Sequence, residues 1–138
     1  MASFMSTRGK FELANVDADA ADLRLILVDT PPASQAAAED INFVDGIVAD
    51  EVAGAGRADL AGLALTENDT NDRAELDATD PATYTGLNGP TIAGGWIYRQ
   101  VTNDADSPVW CFLDVNDIVT NGGDVTLSFP TGGFLHVT

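Results

Sequence analysis

Nucleophilic catalysis needs a Ser or Cys beside a base, most often a histidine. The one histidine, His136, stands near the end of the sequence and reads as a strand-terminal surface residue. The one cysteine, Cys111, sits in the apolar run Val109–Val115, where a thiol packs as a small hydrophobe and its pKa rises instead of falling. Among 22 acidic residues some carboxylate pair at glycosidase spacing is almost inevitable, so such a pair carries no information. Zinc needs a His or Cys cluster that the composition does not supply. Two acidic groups, Asp17, Asp19 and Asp22, and Asp69, Asn71 and Asp72, could offer oxygen ligands to calcium. Neither has the Gly and Glu spacing of a calcium loop, and both read as solvated turns. Gly94-Gly95 and Gly122-Gly123 lack the Lys-Ser/Thr of a phosphate loop and read as structural glycines. Trp96, Tyr98 and Trp110 could stack on sugars, but at strand spacing burial in a core or subunit interface is the better use. These residues predict a chain that is not an enzyme and holds no cofactor or metal.

The elements that must position them are mostly strands. Asp far outnumbers Glu, which favours turns and caps over helix surfaces. Lys10–Ala14 suits a short helix and Ala36–Asp40 a helical turn, with a connection after it. Leu23–Val28 alternates and then turns wholly apolar, and Pro31-Pro32 stops it. Glu51–Ala58 reads as a strand entering a kink at Gly54 and Gly56. Arg73–Asp77 should show one wet face, with Ala74 and Leu76 on the other. Residues 81–90 read as a loop, Thr91–Arg99 as a strand, and 103–108 as a turn. Val109–Val115 reads as a strand covered on both faces, at the centre of the core. Asn121–Asp124 signals a hairpin into Val125–Phe129, and Phe134–Val137 closes the chain as a strand. About seven short strands at this spacing predict an all-β fold. The expected form is an antiparallel, jelly-roll-like β-sandwich, with one or two short helical turns near the N-terminus.

The 138 residues suit one domain, and the balance of 22 acidic against 6 basic residues, a net charge of -16, argues against binding nucleic acid or anionic lipid. The apolar run Leu25–Val28 is far too short for a membrane span. The N-terminus carries Arg8 and Lys10 with no apolar run behind them, which is not the pattern of a secretory signal. Residues 1–14 are expected to form an arm with a short helix, apart from a sandwich domain at 15–138. Phe4 and Met5 are adaptable anchors and, with Arg8, Lys10 and Phe11, are the candidate contacts of that arm. Trp96 and Tyr98 are the candidate subunit interface.

Taken in order, several segments resemble a family of small virion proteins of tailed bacteriophages. They are Asn15–Val28, an acid-rich turn followed by an apolar strand, and Glu51–Gly56 with Leu60–Leu65. Asn71–Ala78, Thr91–Tyr98, Ser107–Asp114 and Gly122–Phe129 complete the set. The match covers most of the chain from Lys10 onward, and it departs from the family at Ala61-Gly62 and in its acidic, Lys-poor surface. The resemblance implies a capsid decoration, or cement, protein on the outer surface of the phage head. Its partners would be the major capsid protein, reached by the arm, and copies of itself in a homotrimer or homodimer. The same resemblance admits a tail, neck or fibre-base component. From the aromatics alone, a carbohydrate-binding sandwich module is the alternative of a different class.

Overall fold

The computed structural model describes residues 3–17, 21–81 and 83–137. Its backbone is built on two long antiparallel strands, β6 (Asn88–Arg99) and β7 (Val109–Asn121). The 103–108 turn joins them through its own side chains. Asn103 Oδ1 accepts from Asp106 N at 3.1 Å, and Ser107 Oγ donates to Asn103 O at 2.7 Å. Such short polar side chains substitute for a backbone turn, which is why this stretch punctuates the sequence so clearly.

Against β6 lies β2 (Leu23–Val28), paired from Leu23↔Arg99 to Val28↔Gly94, and outside it β3 (Ala58–Asp59). Against β7 lies β1 (Phe4–Met5), with Phe4 opposite Phe112 and Met5 opposite Cys111. The order of this first sheet is β1-β7-β6-β2-β3. A second sheet, β4-β5-β8, is formed by Ala64–Asn68, Arg73–Asp77 and Leu135–Val137. Two antiparallel sheets make an all-β, sandwich-like domain with eight strands among the described residues.

Both faces of the first sheet are buried. Alternation on β2 sends Leu23, Leu25 and Leu27 to one face, where they join Ile97, Trp110 and Cys111 against Leu76 and Leu135 of the second sheet and the adjoining Phe134. Ile26 and Val28 go to the other face with Trp96, Tyr98 and Phe112. That face is covered by the connection after β2: α2 (Gln35–Glu39) and two single 3-10 turns, Val44–Gly46 and Val48–Asp50, which insert Ala38, Val44 and Ile47. A wholly apolar strand centre follows directly, since neither face of Leu25–Val28 or of Val109–Phe112 meets water.

The N-terminal segment is part of this domain. α1 (Thr7–Asn15) starts at Ser6, whose hydroxyl accepts from Gly9 N at 2.9 Å and donates to Val109 O at 2.8 Å. Ser6 is fully buried between helix and strand. A Cβ on Gly9 would fall 2.7 Å from the carbonyl carbon and Cα of Trp110, so only glycine lets α1 lie this close to β7. Glu12, 3% exposed, is bound by Arg8 at 2.7 Å and by Arg99 of β6 at 2.7 Å. The division into an arm at 1–14 and a separate sandwich is therefore corrected: strand, cap and helix of residues 4–15 are welded to β7.

Three other expectations shift. Asn88-Gly89-Pro90 is the first part of β6 and not loop. Val125–Phe129 keeps its alternation of burial but forms a single bridge, Val125 to Tyr84, instead of a strand. Glu51–Arg57 is a turn with one bridge, Glu51 to Val28, leading into β3 at Ala58, and Arg57 within it chelates two carboxylates. Its guanidinium binds Glu51 at 2.9 Å and Asp104 at 2.6 Å while lying over the Tyr98 ring at 5.8 Å.

Candidate docking edge

Antiparallel pairing leaves backbone groups unpaired wherever a neighbour strand stops short. β1 spans two residues and β7 thirteen, so β1 covers β7 only at Cys111 and Phe112. The next amide outward, Asp114 N, is capped by Ser3 Oγ at 3.0 Å. Beyond it, among the described residues, no strand pairs with the outer side of β7 out to Asn121. On the far side β2 ends opposite Gly94, so the Asn88–Ala93 half of β6 has no second neighbour there either. The outer half of the β6–β7 hairpin is a two-stranded ribbon running past the sheet.

The side chains on this ribbon are mixed in a way that discourages self-pairing. Asn116 and Asp117 are exposed beside Val119, which at 74% is the most exposed large hydrophobic group described. Pro90 on β6 removes a donor. Acidic side chains on an open edge repel another copy of the same edge, a common way of protecting a sheet from aggregation. The ribbon is held in place from beneath by Ile92 and Ile118, and Thr120 Oγ1 donates to Pro90 O at 2.5 Å.

The residues read as arm contacts fall into two groups. Phe4 packs edge-on against Trp96 at 6.0 Å between centroids, and Met5 lies on the core face beside Cys111. Arg8 is committed to Glu12 and lies over the Phe11 and Phe43 rings at 5.1 and 5.2 Å. Lys10 and Phe11, the latter 57% exposed, remain on the open side of α1. Met1 and Ala2 lie outside the described residues.

Trp96 and Tyr98 are placed otherwise than expected. They are 1% and 0% exposed under the helical connection, so they form no surface for a second copy. Trp110 is likewise fully buried, which removes the aromatic platform that sugar stacking would need. A bulge at Ile97/Tyr98 turns Trp110 to the face opposite Phe112.

Cys111 is fully enclosed, and burial pushes its thiol up to about 12. His136 is exposed on β8, its Nε2 at 2.9 Å from Gly132 O. In the β4–β5 turn, Asn68 Oδ1 accepts from Asn71 N at 3.1 Å, and Asn68 Nδ2 donates to Glu75 at 2.7 Å. Asp22 pairs with Arg24 at 3.2 Å, while Asp19 lies outside the described residues. No group of three His, Cys, Asp or Glu among the described residues is arranged to hold a metal ion. Gly94 and Gly95 face Phe112 and Leu25 so closely that a Cβ would collide, and Gly122, at φ +88, turns the chain after β7.

The sequence shows no match to protein-family models, to curated proteins or to solved structures.

Proposed function

We propose that this protein is a structural component of a tailed-bacteriophage particle, a head-decoration or cement protein that lies on the outer capsid surface and bonds neighbouring capsomers. The observation that carries this reading is the open β7 edge beside a short N-terminal strand. An extended segment of the major capsid protein would add to that edge as a further strand, its backbone bonds giving affinity and Val119 an apolar contact. A net charge of -16 keeps the free chains apart and keeps them off DNA, so the acidic surface suits a protein exposed on the outside of a shell. Bridging at capsomer boundaries would oppose the outward pressure of packaged DNA without any covalent chemistry. Copies of the chain would meet around a capsid symmetry axis through surfaces other than Trp96 and Tyr98.

Deleting Met1–Lys10 is not a test of attachment, because it removes β1 and the Ser6 cap and so unfolds part of the domain. Val119→Glu tests it, since an exposed side chain tolerates exchange within about 0.5 kcal/mol. Occupancy of decoration-free heads by the folded variant should fall about tenfold or more, equivalent to about 1.4 kcal/mol of attachment. Leu65→Glu, on the exposed β4 edge of the other sheet, should leave occupancy unchanged. Equal occupancy by Val119→Glu would overturn the docking edge.

A further inference from the structure

We propose that the space between the two sheets is a binding site for one single-chain apolar molecule whose polar end is not anionic. The cavity has a volume of about 390 Å³, within the range of roughly 300–1,000 Å³ that small-molecule pockets occupy. Its floor is the first sheet, where Leu25, Leu27 and Cys111 are each 1% exposed. Gly95 of β6 lies beside them, packed directly against the Leu25 side chain. Its ceiling is the irregular passage after Val125, which contributes Leu127 and the Phe129–Phe134 ring pair, 4.9 Å between centroids.

The ceiling stays open for local reasons. Phe129 N is tied to Asp80 Oδ1 at 2.6 Å, and Gly132 and Gly133, at φ +93 and +87, turn the chain back onto β5. Leu127 lies between the Val125–Tyr84 bridge and the Phe129 tie, so its stretch is fixed at both ends. Water that enters against such walls is released by hydrocarbon, which supplies the driving force for a ligand.

Ser3, Ser128 and His136 are exposed and Asp114 is half-buried, which marks the mouth, while the interior is apolar. The surrounding field of a chain of net charge -16 disfavours a carboxylate or phosphate head and favours an alcohol or ammonium. This combination selects a neutral or cationic amphiphile over a fatty acid. The site needs no particle, so it is tested on the isolated chain and stands or falls apart from the capsid reading.

The full chain is titrated with the neutral fluorophore N-phenylnaphthylamine, then with decylamine, decanol and decanoate below their micellar concentrations. One saturable site per chain is expected, with decylamine and decanol displacing the probe about tenfold or more better than decanoate. Leu127→Trp, which narrows the ceiling, should weaken probe binding about tenfold. Because that variant alters packing, amide NMR of the unaltered chain is read alongside, and the Gly95, Cys111 and Phe134 signals should move on binding. Three results overturn the proposal: no saturable uptake by the folded chain, shifts confined to other amides, or decanoate displacing the probe as well as decylamine.

Discussion

Gly9→Ala sets helix propensity against tertiary packing and gives them opposite signs. In an isolated helix alanine is favoured over glycine by about 1 kcal/mol, so propensity alone predicts a more stable chain. In the folded molecule the added Cβ would stand 2.7 Å from the backbone carbonyl carbon and Cα of Trp110, where ordinary contact is about 3.5–4.0 Å. Neither side can yield as a flexible side chain would, because both are backbone. α1 must therefore retreat from β7 by roughly 1 Å, and overpacking of this kind costs about 1–3 kcal/mol. The retreat also stretches the Ser6 Oγ to Val109 O bond of 2.8 Å and the Arg99–Glu12 pair of 2.7 Å. Weakening those bonds costs about 1 kcal/mol more, which offsets the propensity gain and leaves a net destabilisation of about 1–3 kcal/mol. With a urea slope of about 1–3 kcal/mol per molar, the unfolding midpoint should fall by about 1 M. Lys10→Ala, on the solvent face of the same helix, should stay within about 0.5 kcal/mol of the parent. A Gly9→Ala chain as stable as the parent, or more so, would mean that α1 does not rest on β7 and that residues 4–15 are an arm after all.

Other perturbations probe the polar contacts. Glu12→Gln leaves Arg8 and Arg99 without their shared carboxylate; these arginines are 31% and 26% exposed and regain water, so the loss should be about 1–3 kcal/mol, below the figure for a fully buried pair, read by thermal melting. Hydrogen bonding from Arg57 holds the Asp104 carboxyl below its ordinary value of 3.8, so its contribution to stability is present above that value and is lost as pH falls through the lower folded value. Asp104→Asn should therefore be less stable at pH 7 and lose less on acidification below about pH 4 than the parent, and parallel acid limbs in the two chains would contradict this. Cys111, with its thiol pushed up to about 12, should react with a disulfide reagent at pH 8 only as the chain unfolds, at a rate that rises with urea; prompt stoichiometric labelling of the native protein would be the contrary outcome.

What the sequence made legible was local. Val109–Val115 reads as a strand covered on both faces because its apolar run lacks alternation, Leu23–Val28 as a strand that alternates and then turns wholly apolar, and both are central strands. The turns at 68–72 and 103–108 were legible because Asn, Asp and Ser bond to their own backbone there. What escaped was whatever depends on a distant neighbour. Trp96 and Tyr98 look like a surface patch until Ala38, Val44 and Ile47 arrive from a connection whose own periodicity is too short to announce a covering layer. Arg57 and Glu12 gave no signal because their partners lie 47 and 87 positions away. Glu75 belongs to the expected wet face of β5 but is 9% exposed, since Asn68 and Arg73 fold over it. The N-terminal segment misleads for a related reason: Gly9 argues against a stable helix unless Trp110 is known to need the space. The β7 edge could not be read at all, because it is defined by where β1 stops and not by any residue on β7.

The central claim, that the chain is an outer-head component of a phage particle, is tested most directly by imaging the virion whose genome encodes it. A cryo-electron reconstruction should place this two-sheet domain on the outside of the capsid, with an extended segment of shell protein lying along β7 between Asp114 and Asn121. Absence of the domain from the mature particle, or density for it only at the tail, would contradict the account.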